Sequence, residues 1–183
     1  MKLKVLINRL SIKVAALVVV ANSIAISCSA YPPSPNVDNN MIQRDSVMRN
    51  AIGDSIYSII MNAKKVKAEV IELNNDSISQ YNKTMVKKKN LPLIQFILSD
   101  PQIYKGYSTV YGVFVPSFTL SFMKKKECCM TKFDFGLRKW SICDDKGNII
   151  KTFDLSSNDM LRFANILFPN NNFIYSHINT EKK

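Results

Sequence analysis

Histidine and glycine are scarce in this sequence, and their scarcity narrows the chemistry it can perform. A single histidine, His177, occurs in 183 residues, close to the C-terminal tail where we expect fraying. One imidazole is a poor basis for a nucleophile–base pair, and a zinc site needs about four ligands. The five glycines stand singly, without the clusters that cradle phosphates. We therefore predict no metal site, no cofactor and no catalytic residue.

The first 27 residues have the order of a bacterial export signal. A basic start without acidic residues precedes an apolar run from Val14 to Ile26, and a box of small residues follows. That order is typical of a signal peptide. The run is shorter than the ~20 residues needed to span a bilayer, which disfavours an uncleaved anchor. We predict that residues 1–27 are a signal peptide and that the protein is exported.

Cys28 decides between lipid anchoring and plain secretion. The box Ala25-Ile26-Ser27 directly before a cysteine is the pattern of lipoprotein signals, in which the thiol accepts a diacylglycerol and cleavage makes it the N-terminus. Ala25 departs from the leucine that is usual there. Ordinary cleavage after Ala30 is the alternative, and it would leave a secreted protein. We predict lipidation of Cys28 and a membrane-anchored location in the cell envelope, periplasmic or surface-facing.

The rest of the chain divides by composition into three parts. Residues 28–40 hold three prolines and several asparagines and almost no large apolar side chain, which predicts a flexible tether. Residues 41–178 are long enough for one domain with its own core. Residues 179–183 are predicted to be a frayed tail.

The periodicity of residues 41–178 predicts an α+β fold. Its expected form is an antiparallel meander sheet of four or five strands with two or three helices packed on one face. Residues 74–90 are polar and are interpreted as a mobile loop. Pro92 suits the first turn of a helix, and Ser156 with Asp159 resembles a capping box. The predicted helices are 40–62, one from Asn90 to the Asp100-Pro101 stop and one from Ser156 to Pro169; the predicted strands are 65–73, 110–122 with a bend at Pro116, 128–135, 138–144, 148–155 and an edge strand 173–178.

The register of one hairpin bears on the cysteines. A Cys129–Cys143 disulfide would require those residues to be opposed across the turn at Gly136. A shift of one residue instead pairs Phe133 with Trp140, and it leaves a two-residue turn with glycine first, as in type II′. Since a one-residue slip moves every side chain to the other face, the apolar set should decide. We predict the aromatic register and free cysteines.

Lysine supplies most of the positive charge. The net charge is +11, and subtracting the four basic residues of 1–27 leaves +7 for the exported part. Lysines cluster at 64–67, 87–89 and 124–126. Solvated turns and edges explain such clusters, and so does binding to an anionic surface. We predict a basic patch and no nucleic-acid partner, because an exported protein rarely meets one; its residues are Lys87, Lys88, Lys89, Lys124, Lys125 and Lys126.

Three patterns that suggest chemistry are better explained by structure. Asp134-Phe135-Gly136 spells a kinase magnesium motif, but no other kinase motif accompanies it, so we interpret it as a strand end and turn. Asp144-Asp145 is interpreted as a turn rather than an acid–base pair. Core packing is favoured over a sugar-binding platform for the aromatic residues of the predicted sheet, which are Phe118, Phe122, Phe133, Phe135 and Trp140.

Several of these features resemble small exported proteins and lipoproteins of Bacteroidota. The resemblance rests on the signal with Cys28, on the asparagine- and lysine-rich composition, on the run from Phe133 to Trp140 and on the ending from Asp154 to Pro169. It implies an exported location and a compact domain, and it implies no catalytic residues.

Two functions remain open from the sequence. The first is a non-catalytic envelope lipoprotein, a binding or assembly module anchored to the membrane by lipid, with other envelope proteins or anionic surfaces as partners. The second is a hydrolase-like envelope enzyme acting on an acidic polymer. An enzyme needs a concave pocket with convergent polar groups, whereas a binding module needs an exposed apolar or basic patch.

Overall fold

A computed structural model describes residues 35–74, 77–105 and 112–180. Its contacts divide the chain into one unit at Met1–Asn39 and another at Asn40–Lys183. The predicted signal peptide, Cys28 and most of the predicted tether lie outside the described residues. The described helices are α1 Pro35–Ile52, α2 Asp54–Met61, α3 Leu91–Leu98, α4 Asp159–Leu167 and α5 Asn172–Thr180, and the described strands are β1 Lys65–Asn74, β2 Ser77–Met85, β3 Phe118–Lys124, β4 Glu127–Asp134, β5 Lys139–Cys143 and β6 Ile149–Asp154.

The six strands form one antiparallel sheet in the order β2-β1-β3-β4-β5-β6. Strands β3 to β6 follow one another as a meander, and the β1–β2 hairpin adds to it with β1 inside and β2 at the edge. The predicted α+β class with an antiparallel meander is confirmed, with one or two more strands than expected. The connection from β2 to β3 passes through α3 and skips over β1.

The helices pack on one side of the sheet, here called the helix face. On β3 this face carries Phe118, Leu120 and Phe122, all fully buried. Lys124, on the same side, donates to Ser58 of α2 at 2.8 Å, and Phe168 after α4 lies edge-on to Phe118 at 6.4 Å between ring centroids. A buried aromatic side chain contributes about 1.5–3 kcal/mol, so this face holds most of the apolar stabilisation.

The opposite side, here called the polar face, carries the alternate residues of the same strands. Its central members are Thr119, Ser121, Ser141 and Cys143, and all four are buried although three are hydroxyl residues. Lys132 and Met130 flank them, and the Lys132 ammonium donates to the Gly147 carbonyl oxygen at 2.9 Å. The β5–β6 turn therefore lies against the long side chains of Lys132 and Met130 on this face.

The helix predicted at 40–62 is two helices that meet at Gly53. Gly53 has a φ of 84°, which glycine adopts at little cost. Its N–H still bonds to the Arg49 carbonyl oxygen at 2.8 Å, and its own carbonyl oxygen accepts from Tyr57 N–H at 3.0 Å. The first of these helices begins at Pro35, five residues before the predicted start at residue 40, and proline suits a helix start.

Two segments were assigned the wrong structure from the sequence. Residues 77–85, predicted to be a mobile loop, form strand β2, because an edge strand has one solvated side and needs little apolar alternation. Residues 173–178, predicted to be a strand, lie in α5. The Asn171 side-chain oxygen accepts from Ile174 N–H at 2.9 Å, so the asparagine run caps a helix there.

Two local predictions also need correction, and one helix is less buried than its composition suggests. Helix α4 begins at Asp159, and Ser157 rather than Ser156 accepts its first N–H, at 3.4 Å. Residues 112–116 form no strand, although they belong to the predicted run 110–122. Helix α3 buries Ile94, Ile97 and Leu98 but leaves Phe96 60% exposed, so it is less enclosed than its composition indicates.

The predicted hairpin register is confirmed. Phe133 pairs with Trp140 and Thr131 with Ile142, and Cys128, Cys129 and Cys143 are free. The predicted type II′ turn is wrong. The pair nearest the turn is Asp134 with Lys139, so the loop between the two strands has four residues rather than two. Arg138 takes the left-handed conformation, at a φ of 53°.

Candidate functional site

Three lysine clusters that are distant in sequence lie at one end of the sheet, here called the lysine-rich end. Lys64 N–H bonds to the Met123 carbonyl oxygen at 3.0 Å, and Val86 N–H bonds to the Val66 carbonyl oxygen at 2.8 Å. These bonds place the start of β1, the end of β2 and the β3–β4 turn side by side. The lysine-rich end consists of Lys64, Lys65, Lys67, Lys87, Lys88, Lys89, Lys124, Lys125 and Lys126.

Both halves of the predicted basic patch, 87–89 and 124–126, therefore come together, and the start of β1 adds three more lysines. Two members are held by carboxylates: Lys67 lies 3.1 Å from Glu69, and Lys124 lies 3.4 Å from Glu127. Seven of the nine side chains are exposed. Partial burial opposes ionisation of Glu69, but the hydrogen bond from Tyr81 and the ion pair with Lys67 outweigh it and lower the pKa of the carboxyl.

An apolar cleft of about 270 Å³ lies between α3 and α4. Its wall is formed by Phe96 and Ile166, which are 60% and 57% exposed. The Arg44 guanidinium stacks 4.0 Å above the Phe96 ring and donates to the Phe96 carbonyl oxygen at 2.7 Å. Through these two contacts, Arg44 packs against the exposed surface of α3.

A second cleft, of about 230 Å³, brings Arg138, Asn158 and His177 together beside Phe135. The Arg138 guanidinium donates to the Asn158 side-chain oxygen at 3.0 Å and to the Leu155 carbonyl oxygen at 3.2 Å. His177 is held in α5 against Phe173, with 4.6 Å between ring centroids, so the expectation of a frayed histidine is wrong. The described lining of this cleft offers neither a carboxylate nor a hydroxyl or thiol nucleophile.

Asp134 and Asp144 organise turns. The Asp134 carboxylate accepts from Leu137 N–H at 2.9 Å and from Val115 N–H at 2.8 Å. The Asp144 carboxylate accepts from the Asn148 side chain at 2.8 Å and from the backbone of the same turn. These bonds, led by that of the Asn148 side chain, lower the pKa of Asp144. The interpretation of both motifs as turns is confirmed.

The aromatic residues of the sheet belong to the core, as the sequence predicts. The residues in question are Phe118, Phe122, Phe133 and Trp140, each fully buried, and Phe135, which is 7% exposed. Phe133 stacks on Trp140 with 5.7 Å between centroids, and the indole N–H donates to the Ile103 carbonyl oxygen at 3.2 Å. Sugar binding would require their faces to be accessible.

Burial makes the three described cysteines, Cys128, Cys129 and Cys143, weaker acids than a free thiol. Burial raises the pKa of Cys129 to about 12, with Cys128 and Cys143 adding to the effect. Burial also raises the pKa of Cys128 and of Cys143. Within residues 35–74, 77–105 and 112–180, no three His, Cys, Asp or Glu side chains are placed to hold a metal ion.

Comparison of the chain with protein-family models, with curated proteins and with solved structures finds no match. Among the residues that the structure describes, no helix combines the length and apolarity needed to cross a bilayer.

Sequence reasoning overlooked both clefts. Arg138 belongs to a run that stood out, but its contact with Asn158 depends on α4 returning to the hairpin. Phe96 belongs to a helix in which six of eight residues are large and apolar, so composition does not mark which of these side chains stays exposed. Neither feature has a signal in local periodicity. The proximity of the three lysine clusters could not be predicted either, because it depends on the order of the strands in the sheet.

Proposed function

We propose that the chain is an exported lipoprotein of the cell envelope, anchored through Cys28, that acts as a non-catalytic binding module. The observation that carries the proposal is the lysine-rich end, where exposed ammonium groups from three segments share one surface. Such a surface attracts anionic partners over a distance of about one Debye length, ~8–10 Å at physiological salt. The resemblance to small exported proteins of Bacteroidota supports the same location.

The chemistry of lysine fits a binding role. An ammonium is a compact, hydrated point charge, so a group of them favours a diffuse anionic surface over one rigidly oriented phosphate. The two carboxylates that hold Lys67 and Lys124 reduce the local charge without reversing it. Other envelope proteins with acidic surfaces fit this site as partners too.

The anchoring part of the proposal is tested by the mass of the mature N-terminus. The natural chain is expected to begin at Cys28 with the added mass of a diacylglycerol and to sediment with membranes. The Cys28→Ser chain should lack that mass and leave the membrane fraction when the membranes are washed at high salt, which screens any purely electrostatic attachment. An unmodified N-terminus at Tyr31 in the natural chain would contradict lipidation.

An envelope enzyme acting on an acidic polymer is the second candidate, and the cleft at Arg138 supports it. A guanidinium, an amide and an imidazole converge there, and they suit an anionic group. Incubation with acidic glycans, followed by assay of new reducing ends, tests this candidate. An enzyme should lose turnover in the His177→Gln variant and keep it in the Lys87→Gln variant. That result would favour the enzyme over the binding module.

A further inference from the structure

We propose that the lysine-rich end docks on an anionic membrane surface, so that the domain lies against the bilayer to which it is tethered. The inference rests on the proposed anchoring at Cys28 and names the partner of the basic site: the phosphate headgroups of anionic lipids.

The second unit begins at Asn40, and its start lies beside the lysine-rich end. Met41 lines a cleft of about 310 Å³ together with Met61 and Pro92. The Gln95 amide of α3 donates to the Met61 carbonyl oxygen at 2.9 Å, which joins the two sides of this region. Met61 stands three residues before Lys64, and Pro92 three residues after Lys89. The covalent path from Cys28 therefore reaches the domain next to its lysines.

The length of that path limits how far the surface can be from the bilayer. Seven residue steps separate Cys28 from Pro35, where α1 begins. They span at most about 25 Å, and the helical steps from Pro35 to Asn40 add about 8 Å. A lipid at Cys28 would keep Asn40 within about 33 Å of the headgroups and raise the effective concentration of the lysines near the bilayer. Lysine clusters immediately beside a membrane anchor attract anionic lipids in this way.

The apolar residues at this end favour a membrane over a polar polymer. Met85 pairs with Lys67 on β1 and is 50% exposed. Met41 and Ile42, at the start of the unit, are 61% and 68% exposed. Apolar side chains interspersed with lysines suit the boundary between headgroups and acyl chains. There the acyl chains accept the apolar side chains, and the phosphates pair with the lysines.

Vesicle sedimentation of the mature chain, residues 28–183 with Cys28→Ser, tests the docking without any contribution from a lipid or from the apolar run of the signal peptide. Binding is expected to vesicles with about one third phosphatidylglycerol, to fall at high salt and to be weak with phosphatidylcholine alone. Lys87→Gln, Lys88→Gln and Lys89→Gln together should weaken binding by at least tenfold. The matched control, Lys105→Gln, Lys139→Gln and Lys151→Gln, removes equal charge elsewhere and should change binding less than twofold.

Several outcomes would overturn the inference. These are equal binding to both kinds of vesicle, an equal loss in the two triple variants, or binding to a soluble acidic polysaccharide without binding to vesicles. If the first triple variant fails to fold, Lys125→Gln with Lys126→Gln replaces it. Because the chain in this experiment has no lipid, failure to dock leaves the result at the mature N-terminus unaffected, and the two proposals can fail separately.

Discussion

The two faces of the sheet are built from alternate residues of the same strands, yet they are buried by different means. On the helix face, the rings of Phe118 and Trp140 both pack against Phe133, and both side chains are fully buried. On the polar face, Ser141 is equally buried, but its Oγ lies 2.9 Å from Thr152 Oγ1 and long side chains cover it. Burial there comes from neighbours within the sheet.

This difference shows that alternation in a strand predicts side-chain chemistry better than exposure. Three apolar residues of β3 alternate with three hydroxyl residues, and all six are nine-tenths buried or more. They are Phe118, Leu120 and Phe122 and, between them, Ser117, Thr119 and Ser121. In the middle of a six-stranded sheet, a small hydroxyl residue is covered by the side chains of adjacent strands. The free energy at stake on the two faces should nevertheless differ, because only the helix face buries large apolar volumes.

The largest effect is expected from Trp140→Ala on the helix face. Removing the indole leaves a cavity beside Phe133 and Phe153 and deprives the Ile103 carbonyl oxygen of its donor. The free energy of unfolding should fall by about 3–5 kcal/mol, measured by urea denaturation. Phe96→Ala, at an exposed aromatic residue of α3, is the control and should cost much less. Similar losses for both variants would show that the helix face is not the main core.

Asp134→Asn is expected to have the next largest effect, on the polar side of β4. The amide keeps the shape but replaces one acceptor oxygen with a donor, so Leu137 N–H or Val115 N–H loses its partner. Unfolding free energy should decrease by about 1.5–3 kcal/mol, since the lost bond is to a charged group. Asp145→Asn, in an exposed turn, should change it by less than about 0.5 kcal/mol.

Ser141→Ala probes the covered hydroxyls directly and should cost about 1 kcal/mol, because Thr152 loses its partner. A double-mutant cycle with Thr152→Val, followed by denaturation, isolates the pair. A coupling energy near zero would mean that the two hydroxyls exchange their bond for water without loss.

Thiol labelling compares the faces with no expected change in stability. Cys129 lies on the helix face, and Cys128 and Cys143 lie on the polar face. With its pKa raised to about 12, Cys129 is about one part in 10⁴ thiolate at pH 8. Iodoacetamide should therefore modify Cys128, which is partly exposed, before the other two, as followed by mass spectrometry. Faster labelling of Cys129 would contradict the packing of β3 against β4.

The meander and its register were predictable because they depend on local pairs. Phe133 and Trp140 stand seven residues apart, and the side chains that share a face settle their pairing. The form of the turn between them was not predictable. It depends on a hydrogen bond from Val115 N–H to the Asp134 carboxylate, and Val115 lies outside the hairpin. Strand β2 escaped prediction because an edge strand needs no apolar side toward solvent.

The candidate site was predictable only in part. The lysine clusters at 87–89 and 124–126 could be read from composition, but their meeting requires β1 to lie between β2 and β3. That order follows from the connection between β2 and β3 through α3, and no periodic pattern in the sequence predicts this connection. Cys28 remains a prediction from the signal pattern.

The placement of β1 between β2 and β3 has a consequence for folding. When β1 docks on β3, Val66 meets Phe122 and Ala68 meets Leu120, and the same step forces ammonium groups from three segments into one neighbourhood. Their mutual repulsion opposes closure and grows as salt is removed. The apolar pairs must overcome it, so dissolved ions should help the native state form, and any polyanion that prefers the closed sheet would act as a folding aid.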